Sequence, residues 1–133
     1  MGYTNYPDNI VHKFYKQASK SGVDVLHVFG YINYIDNLNL SVDATSSAGG
    51  FVEGTLSYMG DVSDPSKGKY NLEYYINLTR YISDMGVHSL AIKGMAGLLT
   101  PCAATMLVLA LREELPDMPL HMTFPRSHCT LRS

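Results

Sequence analysis

Four short apolar runs, rich in β-branched and aromatic residues, recur along the chain at spacings of about 30 residues. Runs of this length and composition predict β-strands. The predicted strands cover residues 24–29, 51–58, 87–93 and 119–124.

The stretches around these runs place apolar residues three and four positions apart, which is the spacing of one helical face. The residues are Val11, Phe14, Tyr15 and Ala18; Tyr75, Leu78, Ile82 and Met85; and Ala103, Met106, Leu107, Ala110 and Leu111. Thr100 and Pro101 predict the start of the last helix, with a capping side chain followed by proline at the first helical position. Gly22 and Gly86 stand where two helices are expected to end.

Helices and strands therefore alternate, with a helix first, and the fold class is α/β with a parallel sheet. A β/α barrel and an open doubly wound sheet both fit this pattern. No G-x-G-x-x-G segment follows a predicted strand, which disfavours dinucleotide binding. The loops after the strands are longer than the turns after the helices. In β/α barrels the loops after the strands carry the chemistry.

Composition narrows the class of protein further. Of the 133 residues, 46% are hydrophobic and 17% are charged, so a globular domain is expected. The net charge of −2 and the absence of a basic cluster argue against nucleic acid as a partner.

The longest apolar run, residues 106–111, is too short to span a membrane. The first residues resemble neither a signal peptide nor a transit peptide. Cys102 and Cys129 have no metal-ligand spacing.

The chain contains several short motifs over roughly residues 2–122. They are GYTNYPDN at 2–9, VF at 28–29 with NY at 33–34, SAGG at 47–50, SYMGDVSDPS at 57–66 and IKGMAGLL at 92–99. These motifs, in this order, resemble one enzyme family, the carboxyltransferase domain of pyruvate carboxylase.

The resemblance implies a partial TIM (β/α)8 barrel of about four parallel β/α units. It implies carboxyl transfer from carboxybiotin to pyruvate, giving oxaloacetate. Lys93 would be the N6-carboxylysine that binds a divalent metal such as Mn or Zn. Tyr3 would lie in the pocket for pyruvate and biotin, and biotin itself would be carried on a domain absent from this chain. Animal members of the family are mitochondrial, which implies the mitochondrial matrix, with the cytoplasm as the alternative.

The sequence departs from the family at positions that matter for the chemistry. Thr123 and Pro125 occupy the positions of two metal-binding histidines, and Gly30 and Gly94 replace aspartates. His27 and Tyr31 replace arginine and serine. We expect a barrel domain over 1–123 and an unrelated tail over 124–133. We also expect the family's first strands, last strands and catalytic threonine to be missing.

Two classes of function remain open. One is a pyruvate carboxylase-like fragment, or a fragment of a related biotin-dependent decarboxylase or transcarboxylase, inactive as an isolated chain. The other is a non-catalytic truncated isoform or pseudogene product that binds a full-length subunit or itself. Site residues have plainer alternatives as well. Lys93 would then be an unmodified lysine and Tyr3 a surface residue. Asp61, Asp64 and Lys67 lie in one loop and are candidates to hold a substrate, with a solvated loop as the plainer alternative.

Two further expectations concern packing. The ten tyrosines are interpreted as filling gaps between helices and strands, with their hydroxyls pointing outward. Val28, Leu56 and Leu90 are predicted to face the barrel interior and to be partly bare, because half a barrel leaves that side uncovered. Such a sheet also has two unpaired edges, which favour self-association.

Overall fold

The computed structural model describes residues 6–30, 33–64, 66, 68–95 and 97–123. Within these residues helices and strands alternate, as the sequence predicts. The helices are α1 (Asp8–Lys20), α2 (Ile35–Ser47), α3 (Leu72–Asp84) and α4 (Pro101–Glu114), and the strands are β1 (Val25–Phe29), β2 (Phe51–Tyr58), β3 (Ser89–Gly94) and β4 (Leu120–Thr123).

The four strands form one sheet in the order β1-β2-β3-β4, and every neighbouring pair is parallel. The register pairs His27 with Glu53, Ser57 with Lys93, and Lys93 with Thr123. This sequential parallel order confirms the predicted α/β class and its four β/α units.

Local signals in the sequence account for the helix ends. The Thr100 hydroxyl accepts a hydrogen bond from the Ala103 amide at 3.2 Å, and Pro101 follows at the first turn. Gly86 ends the turn after α3 with φ of 81°, a left-handed conformation that glycine adopts without steric cost.

One face of the sheet is covered by all four helices and forms the hydrophobic core. Val28, Leu56 and Leu90 belong to it and are at most 3% exposed. The prediction that these three side chains face a bare barrel interior is therefore wrong. They point toward the helices because the apolar positions of each strand match the apolar stripes of the helices.

Gly54 lies on the same helix-covered face, where α3 approaches β2 closely. A Cβ atom at this position would lie 2.6 Å from Cγ2 of Ile82 and 2.8 Å from Cγ1 of Val87. The absence of a side chain thus lets the helix pack directly on the strand.

The opposite face, which we call the open face, carries the alternate residues of each strand. On β1 these are Val25, His27 and Phe29, all exposed. Its polar members are His27, Glu53, Thr55, Ser57, Ser89, Lys93, His121 and Thr123. Within the described residues, β1 and β4 are the edge strands of the sheet, and each is paired with one neighbour.

None of the helices in the described residues has the length and apolar character needed to span a membrane.

Candidate functional site

The loops that follow the strands lie at one end of the sheet, and buried tyrosines hold the loop after β2. The Tyr75 hydroxyl accepts hydrogen bonds from the backbone amides of Met59 at 2.9 Å and Gly60 at 3.2 Å. Burial raises the pKa of Tyr75 to about 12, so its phenol stays neutral at physiological pH.

Tyr58 supports the same loop from the end of β2. Its hydroxyl accepts a hydrogen bond from the Val62 amide at 2.9 Å, and its ring stacks on Tyr75 with centroids 5.2 Å apart. Both side chains are fully buried. They fill the gap between helix and strand as expected, but the prediction of outward hydroxyls is wrong for this pair.

Asn33 holds the loop after β1 against the end of β2. Its Oδ1 accepts from the Ser57 amide at 2.7 Å, and its Nδ2 donates to the Ser57 carbonyl at 2.9 Å. Its φ of 55° lies in the left-handed region, which asparagine tolerates better than most residues. The side chain thus replaces a strand neighbour where β1 has ended.

A cleft of about 320 Å³ opens between the loops after β2 and β3. Asp61 and Lys69 supply its charges, and Met59, Tyr70 and Leu98 supply apolar walls. The cleft is open to solvent and mainly apolar in its lining.

Asp61 and Asp64 each close a short turn of the loop after β2. Oδ1 of Asp61 accepts from the amide and hydroxyl of Ser63 at 3.0 and 2.6 Å, and Oδ1 of Asp64 accepts from those of Ser66 at the same distances. These contacts brace the loop, as Asx turns do. Lys67, the third residue predicted in this loop, lies outside the described residues.

Lys93 projects from the open face near the end of β3. Its Nζ lies 3.8 Å from the ring centroid of Phe29, across the sheet on β1. Its two register partners, Ser57 and Thr123, carry hydroxyls. Tyr3, the predicted substrate contact, and the tail over 124–133 lie outside the described residues, so these predictions stay open.

The donors around Lys93 do not match a divalent metal site. Gly30 and Gly94 bring no side chain to the strand ends, and the Thr123 hydroxyl points to the Ile92 carbonyl at 3.4 Å. Across the described ranges, no group of three His, Cys, Asp or Glu side chains is arranged to hold a metal ion.

Glu53 is the centre of a polar cluster in the middle of the open face. Oε2 of Glu53 lies 2.5 Å from Nδ1 of His27, and Oε1 lies 2.9 Å from Nδ1 of His121. The Thr55 hydroxyl lies 3.0 Å from Nε2 of His27. Burial raises the pKa of Glu53, but the hydrogen bonds from both histidines outweigh it, so the pKa lies below its usual range. We call this the His–Glu–His cluster.

Small residues make the cluster possible. Glu53 is on β2 and His121 is on β4, so their side chains must meet above β3. Ser89 pairs with Glu53 and Ala91 pairs with His121, and neither fills the space between them. This cluster was not predicted from the sequence. The signal available in the sequence was the presence of His27, Glu53 and His121 within runs that are otherwise largely apolar.

The fold and this arrangement of loops define a segment of a parallel β/α barrel whose candidate site lies at the carboxyl ends of its strands. No family model matches the chain. The chain is 54% identical over 122 residues to mouse mitochondrial pyruvate carboxylase, 53% identical to the human enzyme and 43% identical to pyruvate carboxylase of Bacillus subtilis. These matches cover 92% of this chain and about a tenth of each relative.

Solved structures agree with the sequence matches. The carboxyl transferase domain of Rhizobium etli pyruvate carboxylase, solved with pyruvate, superimposes with a TM-score of 0.87 at 43% identity. The match covers 91% of this chain and 20% of that domain. The same domain solved with pyruvate and biocytin gives the same TM-score. The resemblance is thus confirmed, and the chain is a fragment homologous to the carboxyltransferase domain of pyruvate carboxylase.

Proposed function

We propose that the chain forms four β/α units of a carboxyltransferase barrel of the pyruvate carboxylase type, and that the 133-residue chain alone does not catalyse the transfer. The family reaction moves a carboxyl group from carboxybiotin to pyruvate and yields oxaloacetate. The observation that carries the proposal is the sequential parallel sheet, which superimposes on a carboxyl transferase domain at 43% identity.

The substrates of this proposal are pyruvate and a biotin group carried on another domain or subunit. Tyr3 is the residue of this chain that we assign to their pocket by resemblance. Several relatives bear the name mitochondrial pyruvate carboxylase, which favours the mitochondrial matrix, while the B. subtilis relative carries no such designation and the cytoplasm is the alternative.

The inactivity of the isolated chain follows from the chemistry of enolisation. Negative charge develops on the pyruvate oxygen during the reaction, and enzymes stabilise such charge with fixed donors or a metal. The residues described around Lys93 do not fit a metal, so no step is assigned to one. Losing several members of one catalytic site lowers rates by orders of magnitude.

The test is an assay of carboxyl transfer from N-carboxybiotin to pyruvate, and of the reverse transfer from oxaloacetate to free biotin, both with Mn²⁺. The matched positive control is the carboxyltransferase domain of the B. subtilis relative under identical conditions. We expect no turnover above the uncatalysed rate from the 133-residue chain. Metal-dependent turnover that disappears in Lys93→Ala would refute the inactivity. Carboxyl transfer to an acceptor other than pyruvate would instead favour the related transcarboxylase, and oxaloacetate decarboxylation without pyruvate carboxylation would favour the related decarboxylase.

The second candidate function is a non-catalytic subunit. Val25, Phe29 and Phe51 are between 41% and 56% exposed on the open face, and β1 has an unpaired edge among the described residues. Exposed apolar edge strands recruit other chains. Size-exclusion chromatography with light scattering tests this function, with the chain alone and mixed with a full-length pyruvate carboxylase. Co-elution with the larger enzyme supports it, and independent elution at every ratio excludes it.

A further inference from the structure

Lys93 has a different chemical setting from the one that a metal-binding carbamate needs. In the register of the sheet it stands between Ser57 and Thr123, and its Nζ lies over Phe29. Within the described residues, its ammonium lies over this aromatic ring, and no carboxylate lies within salt-bridge distance of it.

The ring of Phe29 favours a cation at this position. The face of an aromatic ring carries partial negative charge, and a lysine ammonium within about 6 Å of the centroid is attracted to it. At 3.8 Å, Nζ of Lys93 is well inside that limit. The side chain is half-buried, so the attraction is only partly screened by water.

Carbamylation would reverse this charge. The neutral amine forms an N–C bond to carbon dioxide and loses one proton, which leaves an anionic carbamate and one free proton. The product would place negative charge against the negative face of Phe29. A bound divalent metal compensates for that charge in a functional site, but the donors needed to hold one are missing from the described strand ends. Gly30 and Gly94 offer no side chain, and Thr123 offers a neutral hydroxyl.

We propose that Lys93 acts in this chain as an unmodified ammonium anchored on Phe29, and that this end of the sheet holds neither a carbamate nor a divalent metal. The anchor ties β3 to β1 across the open face, with β2 between them. Lys93 thus serves as a fixed positive charge at the position where the family places its carbamate.

The first experiment looks for the carbamate and the metal directly. The 133-residue chain is incubated with ¹³C-bicarbonate and examined by ¹³C NMR, and Mn²⁺ binding is titrated with and without bicarbonate. We expect no carbamate carbon signal and no stoichiometric Mn²⁺ site, with Lys93→Met identical to the parent in both. A carbamate signal with one equivalent of Mn²⁺, both lost in Lys93→Met, would overturn the proposal.

The second experiment looks for the anchor and also reports folding. With ¹³Cε-labelled lysine, we expect one lysine Hε resonance to be shifted upfield by the ring current of Phe29. The shift should disappear in Phe29→Leu and persist in Phe14→Leu, which removes an exposed ring on α1. If a dispersed spectrum shows no shifted lysine, the anchor does not exist. Neither experiment measures turnover, so the outcome is separate from that of the carboxyltransferase proposal.

Discussion

The two faces of the single sheet are held by different kinds of interaction. The helix-covered face holds side chains such as Val52, Leu56 and Ile92, which are fully buried against the helices. The open face instead holds Glu53 between two histidines and Lys93 over an aromatic ring. Apolar burial supplies most of a domain's stability, whereas polar contacts of this kind supply orientation and charge. Changes on the two faces should therefore differ in size and in their dependence on pH.

The largest loss of unfolding free energy is expected from a cavity in the core on the helix-covered face. Leu56→Ala removes a fully buried side chain and leaves a cavity, and such changes cost about 2–5 kcal/mol. The matched control is Val25→Ala on the open face, where the side chain is 56% exposed and the cost should be within about 0.5 kcal/mol. Urea unfolding of both variants measures the difference. Equal losses would show that the open face is also buried in solution.

Filling the close contact at Gly54 should have the next largest effect. In Gly54→Ala the added methyl meets Ile82 and Val87 at distances below 3.0 Å, and overpacking of this kind costs about 1–3 kcal/mol. Gly68→Ala is the control, since a Cβ there meets nothing within 4 Å. We expect this control to unfold at the same urea concentration as the parent or slightly above it. A neutral Gly54→Ala would mean that α3 moves freely relative to β2.

The open face should respond to acid. The pKa of Glu53 is lower in the folded chain than its ordinary value of 4.5. Its stabilisation is therefore complete above that value and is lost as the pH falls through the folded-state pKa. Glu53→Gln should cost about 1–2 kcal/mol at pH 7 and flatten the loss of stability below pH 4.5, because charged hydrogen bonds are replaced by neutral ones. Unfolding free energies at pH 3–7 provide the test, and parallel profiles for the two proteins would contradict it.

The smallest expected effect is a gain on the helix-covered face. The Thr79 hydroxyl is buried and makes no hydrogen bond with the described residues. Thr79→Val should therefore raise the unfolding free energy by about 1 kcal/mol, since an unsatisfied polar group is removed. In Thr45, which is equally buried, the hydroxyl donates to the Ser41 carbonyl at 2.8 Å, so Thr45→Val should give no gain. Thermal melts compare the pair, and a gain in both variants would point to general apolar replacement.

Local patterns were sufficient to predict most of the elements. The strands start within two residues of the predicted positions, and the cap at Thr100 and the left-handed Gly86 are found where expected. These signals involve residues close in sequence. The predicted orientation of Val28, Leu56 and Leu90 was wrong. Alternation of residues shows that a strand has two faces, but it does not show which face the helices cover.

The candidate site was harder to predict because its parts come from distant positions. His27, Glu53 and His121 meet only after three parallel crossovers, and Ser89 and Ala91 leave the necessary room. The resemblance indicated Lys93 as a metal-binding carbamate, which stays a prediction, and it did not indicate the contact with Phe29. The contact with Phe29 depends on register across β2, which spacing along the chain does not contain.

The stacked pair of Tyr58 and Tyr75 also gives this chain an internal optical signal. The sequence contains no tryptophan, so near-ultraviolet circular dichroism reports on its tyrosines and phenylalanines. Two rings 5.2 Å apart in a fixed, fully buried arrangement contribute strongly to such a spectrum. Because both hydroxyls hold the loop after β2, loss of this signal would report the release of that loop together with the loss of packing between α3 and β2.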